Sequence, residues 1–131
     1  MTQNEKDLLL KDLCARLPYR VKVQSTFYNC DGTIWKYENE ILTANLLVYK
    51  IERYKPYLFP LSSMTEEQNK ELKVMCDWHD DDVDAQSILV LYQNHFVMKS
   101  DVIDWFNKNH FDYRGLIPIE LAIDATGLNI Y

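Results

Sequence analysis

The feature that most constrains the fold is an Asp31-Gly32 step that follows a stretch of alternating residues. Between positions 19 and 28, Val21 and Val23 alternate with polar side chains, a period of two that is typical of a strand with one solvated face. An Asp-Gly pair favours the positive backbone φ angles of a tight hairpin turn. The pattern therefore predicts a β-hairpin in the first third of the chain.

Two further segments extend this β-rich region, which we place at residues 19–54. The returning strand is predicted over Thr33–Tyr37, followed by a second turn or bulge at Glu38-Asn39-Glu40. The segment Ile41–Ile51 is rich in Leu, Val, Ile and Tyr, which favour strands by β-branched or aromatic content. We expect these segments to form a small antiparallel β-meander.

An amphipathic helix is predicted before the strands, from Asn4 to Leu17. Asn4 is a suitable N-terminal cap, and Pro18 would end the helix. The apolar stripe of this helix consists of leucines at helical spacing: Leu8, Leu9, Leu13 and Leu17.

The remainder of the chain, residues 65–131, is predicted to be rich in helices. Before it lies a crossing segment, residues 55–64, in which two prolines oppose regular structure. Thr65 and Gln68 have the spacing of a capping box, which predicts a helix from Glu66 to about Cys76.

A third helix is predicted from Ser100 or Asp101 to Asn109, with an aromatic face. Segments 88–98 and 116–125 fit a strand or a helix equally well, because their apolar runs are short. The order of elements predicts an α+β fold: an N-terminal helix, a small antiparallel sheet, and two or more helices packed on that sheet.

Composition favours one globular domain over residues 1–131. Hydrophobic residues make up 47% and charged residues 26%, and three glycines with four prolines leave no flexible linker. No apolar stretch reaches the roughly 20 residues that a membrane-spanning helix needs, and the N-terminus lacks a signal pattern. We therefore expect a soluble cytoplasmic protein that does not bind a membrane.

Two stretches carry distinctive sequences: KPYLFPLSSMTEEQNKEL at residues 55–72 and DWFNKNHFDYRGLI at residues 104–117. Both resemble uncharacterised proteins of gut anaerobic bacteria and of their prophages or mobile elements. No activity is attached to these relatives, so the resemblance implies an accessory protein of a prophage or mobile element and brings no catalytic residue or cofactor.

The densest group of metal-ligand side chains lies in the acidic segment from Cys76 to Asp84. Cys76, His79 and Asp80 are the candidate ligands of a metal-binding or hydrolytic site. A zinc site needs four convergent donors and a calcium loop needs a glycine within the acidic run, and this segment supplies neither. A solvated acidic loop is the favoured interpretation.

A second polar group consists of His110, Asp112, Tyr113 and Arg114, which together have the chemistry to move a proton or hold a phosphate. The favoured interpretation is structural, with the aromatic ring packed and the charged groups paired or capping the backbone. The chain has no nucleophile elbow and no glycine-rich phosphate loop. We therefore expect no catalytic residue and no cofactor.

Basic and aromatic residues alternate over residues 49–57, as they do in proteins that bind single-stranded nucleic acid. The surface candidates there are Tyr49, Lys50, Arg53 and Tyr54. A formal net charge of −6 disfavours binding to a polyanion. An ordinary strand with one covered face explains the same pattern.

The leading hypothesis is a small protein-interaction module with an unknown protein partner. Nine tyrosines and three tryptophans supply side chains that are enriched at interfaces. Trp105 and Phe106 are further partner-binding candidates, because the apolar residues of the third helix occupy more than one face. The same crowding makes a homodimer an alternative.

Overall fold

The computed structural model describes residues 1–48, 50–76 and 100–131, and these have the predicted α+β class. Helix α1 spans Gln3–Arg16 and begins at Thr2. The Glu5 amide donates to the Thr2 hydroxyl at 3.1 Å, and the Thr2 amide donates to the Glu5 carboxylate at 3.0 Å. The predicted cap at Asn4 was wrong, because Thr2 and Glu5 form a complete capping box that starts the helix two residues earlier.

In the described part of the chain, four strands form one mixed sheet: β1 at Lys22–Tyr28, β2 at Ile34–Ile41, β3 at Tyr54–Leu58 and β4 at Ile123–Asp124. Their spatial order is β2-β1-β3-β4. Strand β1 pairs antiparallel with both β2 and β3, whereas β3 pairs in parallel with β4. The sheet therefore joins the hairpin to the C-terminal segment through β3.

The predicted strand at Ile41–Ile51 was wrong. Beyond the end of β2 the chain forms two short 3-10 helices, Ala44–Val48 and Ile51–Arg53. The next strand is β3, which pairs with β1 and not with β2, so the strands do not follow the order of a meander. Strand propensity did not locate this strand, because pairing with β1 is a non-local contact.

Strand β3 lies inside the segment that was expected to cross without regular structure. Pro56 pairs opposite Val23. In an antiparallel ladder only every second residue directs its amide toward a given neighbouring strand. Pro56 occupies a position that is directed away from β1, so its missing amide removes no hydrogen bond between β1 and β3. The expectation for residues 55–58 was wrong for this reason.

Strand β2 contains the predicted bulge. The register between β1 and β2 shifts between Val23 and Ser25, and Asn39 has a φ of 57°. Asparagine tolerates this left-handed conformation better than most residues. The chain continues beyond the bulge as strand and does not turn.

Two α-helices of the described residues lie between β3 and β4 in the chain. Helix α2 spans Glu66–Met75, with Thr65 and Gln68 forming the predicted capping box. Helix α3 spans Ser100–Lys108, close to its predicted bounds. Residues 116–125, left open between helix and strand, form turns and the two-residue strand β4. The segment 88–98 lies outside the described residues.

The buried apolar side chains of the described residues form two clusters. The first joins α1, the sheet and the C-terminal segment: Leu9, Leu13, Val21, Val23, Leu42, Tyr54, Leu58, Leu116, Leu121 and Ala122. The second joins α2, α3 and the segment that follows α3: Leu72, Cys76, Val102, Trp105, Phe106, Phe111 and Tyr113. In the described part of the chain, no helix has the length and apolar character needed to cross a lipid bilayer.

Candidate interaction surface

Strand β2 is the outer strand of the sheet among the described residues. The Asn29 amide donates to the Thr33 carbonyl at 2.8 Å, so Thr33 faces β1. Because backbone groups alternate along a strand, Trp35 and Tyr37 also direct theirs toward β1. The backbone groups of Ile34, Lys36 and Glu38 point the other way, to an edge that no other described strand pairs with.

One face of the hairpin carries three aromatic rings, Phe27, Trp35 and Tyr37, which we call the aromatic patch. Trp35 lies directly opposite Phe27 in the strand register. The rings of Phe27 and Tyr37 pack edge to face, with centroids 5.9 Å apart. Trp35 is 51% exposed and Tyr37 is 53% exposed, so half of each side chain is available to a partner.

A guanidinium extends the aromatic patch. The Arg53 Cζ atom lies 5.1 Å from the centroid of the Phe27 ring, within the range of a cation–π contact. Arg53 was predicted from sequence as a partner-binding residue. The structure places it beside rings that sequence reasoning did not select.

The opposite face of the hairpin is also exposed. Tyr28 lies opposite Ile34 in the register, and the two are 67% and 55% exposed. Lys36 and Glu38 are exposed residues further along β2 on this face. The outer part of the hairpin therefore has both faces and one edge in solvent.

The exposure of the outer hairpin has a simple cause: the first cluster of buried residues packs against only part of β1. Val23 and Ser25 are fully buried, whereas Tyr28 at the end of the strand is mostly exposed. The helix and the C-terminal segment cover the first half of β1, and the strand then continues past them. The sequence signal for this surface was the alternation of Trp35 and Tyr37 with charged residues. Periodicity alone does not show whether another element covers the aromatic face.

Lys50 and Tyr54, two of the four predicted partner-binding residues between 49 and 54, differ in their exposure to solvent. Lys50 is exposed. Tyr54 is fully buried, and its hydroxyl donates to the Leu46 carbonyl at 2.7 Å. The prediction that Tyr54 binds a partner was wrong, because its ring belongs to the first cluster of buried residues. Tyr49 lies outside the described residues.

Trp105 and Phe106 are interior residues, so their prediction as surface residues was also wrong. Their exposures are 7% and 1%. Trp105 stacks on Phe111 with centroids 5.7 Å apart, and Phe106 stacks on Tyr113 at 5.4 Å. Because α3 packs against both α2 and the segment that follows it, more than one of its faces is covered.

The predicted polar group at residues 110–114 is occupied by contacts within the chain. The Asp112 carboxylate accepts hydrogen bonds from the amides of Leu116 and Ile117, at 2.8 and 2.9 Å. The Tyr113 hydroxyl donates to the Asn107 side chain at 3.0 Å. These bonds fix the turn after α3.

Arg114 takes part in a buried ion network that sequence reasoning missed. Its guanidinium donates to Asp12 at 2.9 Å, and Arg16 donates to the other oxygen of Asp12 at 2.9 Å. Arg16 also donates to the Phe111 carbonyl at 2.6 Å. The network ties α1 to the segment after α3; its sequence signal was the four-residue spacing of Asp12 and Arg16 on one helix face.

His110 packs against the end of the chain. Its imidazole stacks on the Tyr131 ring with centroids 3.7 Å apart. Burial, aided by the positive charges of Arg16 and Lys22, lowers the pKa of His110 to about 4. Burial raises the pKa of Tyr131 to about 12. The imidazole is therefore neutral near pH 7, which suits packing.

A shallow groove of about 280 Å³ lies on the sheet face away from α1. It is lined by Gln24, Glu38, Asn39, Tyr57, Ile123, Leu128 and Ile130. Neither His110 nor Cys76 lines it, so the groove does not unite the sequence-predicted catalytic or metal candidates.

The metal candidates fall mainly outside the described residues. Cys76 is buried in the second cluster, while His79 and Asp80 belong to the part of the chain that is not described. Within residues 1–48, 50–76 and 100–131, no three His, Cys, Asp or Glu side chains converge as a metal site would require.

Comparisons with known proteins add no assignment: no protein-family model, no curated protein and no solved structure matches the chain. The interpretation of the surface therefore depends on its geometry and chemistry.

Proposed function

We propose that this chain is a small non-enzymatic protein-interaction module whose partner binds along β2. The observation that carries the proposal is the exposure of Trp35 and Tyr37, each about half, on the outer strand of the sheet. Large exposed apolar groups that cluster on one element mark binding surfaces more often than scattered ones do.

The chemistry of this surface suits an extended protein segment. The outward backbone groups of Ile34, Lys36 and Glu38 offer the hydrogen bonds of one more strand, and neighbouring side chains give specificity. Tryptophan and tyrosine bury a large area on binding while ordering few rotatable bonds. Edge strands that lack such a partner tend to aggregate, so natural proteins usually block them.

The biological setting is part of the same proposal. The resemblance of residues 55–72 and 104–117 to proteins of prophages and mobile elements supports an accessory factor that works in the bacterial cytoplasm. A module of this kind needs a rigid binding edge and no reaction centre.

Single-stranded nucleic acid is a second candidate partner, and the contact of Arg53 with Phe27 is the observation that favours it. Exposed rings beside a guanidinium can stack on bases. Tyr54 and Tyr57 are buried, however, so the predicted stretch offers fewer rings than its sequence suggested. A net charge of −6 also opposes phosphate binding, and we rank this candidate second.

Position-specific photo-crosslinking tests the proposal. A benzophenone amino acid replaces Trp35 in the full chain, and extract from cells that express the protein naturally supplies the partners. The matched control carries the same amino acid at Val74, which is 78% exposed on α2. We expect one defined protein adduct from position 35 that is absent from position 74.

The outcome of the experiment separates the two candidates. A protein adduct that disappears when Tyr37 is also changed to serine supports the proposed function. An adduct that is sensitive to nuclease supports the second candidate instead. Equal labelling from positions 35 and 74 would contradict both.

A further inference from the structure

We infer that the partner of β2 is a second copy of this chain, bound antiparallel to make a continuous sheet across the dimer. The inference rests on the proposed function and names its partner. It follows from the order of side chains along the exposed edge, which is complementary to itself.

The charges on β2 select the register. If the two-fold axis passes beside Tyr37, then Lys36 of each copy lies opposite Glu38 of the other. Both side chains are exposed, and neither takes part in an ion pair within the described residues. Opposite charges directly across an antiparallel pair stabilise it, and like charges destabilise it.

The backbone fits the same register. Lys36 and Glu38 both direct their hydrogen-bonding groups outward, as a hydrogen-bonded pair across the new edge requires. Tyr37 directs its groups inward, so the two Tyr37 residues form the non-hydrogen-bonded pair, in which side chains lie closest. The bulge at Asn39 ends the regular edge just beyond this pairing.

The aromatic side chains fit it as well. The two Tyr37 rings meet at the axis on the face that carries the aromatic patch. Trp35 of one copy lies diagonal to Tyr37 of the other, within reach of a large ring. Two patches that are each half exposed would then form one continuous row of rings.

Moving the two-fold axis by one or two residues removes this complementarity. An axis beside Lys36 would place the two Lys36 side chains opposite each other, and an axis beside Trp35 would place Lys36 opposite Ile34. Only the register centred on Tyr37 pairs every charge on the regular edge with its opposite. The contact is small, so we expect reversible association at micromolar or higher concentration.

Charge-reversal variants of β2 test the inference. Their dimerisation is measured by sedimentation velocity of the purified full chain from about 10 µM to about 1 mM, which covers the dissociation constants expected for a small interface. We expect Lys36→Glu and Glu38→Lys each to weaken dimerisation at least about tenfold, because each places like charges in both cross-strand pairs. The double variant restores the pairs with their signs exchanged and should dimerise like the wild type.

Mixing the two single variants gives the sharpest result. One copy then carries two acidic residues and the other two lysines, so both cross-strand pairs are attractive and a heterodimer should form. Circular dichroism of each single variant checks its fold.

The inference is overturned if the wild-type chain is monomeric throughout the range, or if the mixed variants do not associate. Failure of the inference leaves a distinct signature from failure of the proposed function. A monomer that still gives a protein adduct from position 35 binds another protein along β2, whereas a monomer with no such adduct contradicts both.

Discussion

The ring of Tyr131 stacks on the imidazole of His110, with their planes inclined by only 14°. Its hydroxyl lies between two strands: it accepts from the Lys22 amide at 2.8 Å and donates to the Tyr57 carbonyl at 2.8 Å. Lys22 and Tyr57 are the next positions along the β1–β3 ladder after Val23 and Pro56. The C-terminal residue thus replaces one direct hydrogen bond of the sheet.

Removing this hydroxyl should destabilise the sheet. We expect Tyr131→Phe to lower the free energy of unfolding by about 1 kcal/mol, because two backbone groups lose their shared partner. Urea denaturation followed by circular dichroism measures the change. Tyr28→Phe is the control, since Tyr28 is mostly exposed and its change should stay within about 0.5 kcal/mol. Equal effects of the two substitutions would contradict the bridging role.

The stability contributed by His110 should depend on pH. Its pKa is lowered from 6.5 to about 4 in the folded chain, so between these values the unfolded chain binds more protons. The free energy of unfolding therefore falls as the pH is lowered through this window, by about 1–3 kcal/mol.

A variant without the titrating group isolates this effect. His110 has a φ of 61°, which asparagine tolerates, so His110→Asn is the appropriate comparison. The difference in unfolding free energy between the wild type and this variant should shrink as the pH falls from 6.5 to about 4. Parallel pH curves for the two proteins would show that His110 does not titrate in this way.

The buried ion network should be sensitive to loss of its carboxylate. The side chains of Asp12 and Arg16 are fully buried, and Asp12 also holds Arg114. Asp12→Asn leaves two guanidinium groups without their counter-ion, and we expect a loss of about 3–5 kcal/mol in unfolding free energy. Asp7→Asn, on the exposed face of the same helix, is the control and should change stability by less than about 0.5 kcal/mol. A small effect at Asp12 would mean that the network does not tie α1 to the C-terminal segment.

Local signals were sufficient for part of the fold. The capping box at Thr65 and Gln68 located α2, and the Asp31-Gly32 step located the hairpin, because both features act within a few residues. Strand β3 was missed because it is defined by pairing with β1 about 30 residues earlier in the chain and by the C-terminal segment beside it.

The surface was harder to predict than the fold. Trp35 and Trp105 each lie beside another large apolar residue in sequence, yet the first is half exposed and the second is buried. What separates them is whether another element covers their faces. That depends on packing between distant segments, which residue type and periodicity do not encode.

Amide hydrogen exchange along β2 tests the central claim most directly. It is measured on the full chain at low and high protein concentration, and with any protein that crosslinks to position 35. We predict that exchange slows at Ile34, Lys36 and Glu38, whose amides face outward, and changes little at Trp35 and Tyr37, whose amides already face β1. Protection confined to α2 or to the C-terminal segment, with the outward amides of β2 still exchanging fast, would contradict the assignment of this edge as the binding surface.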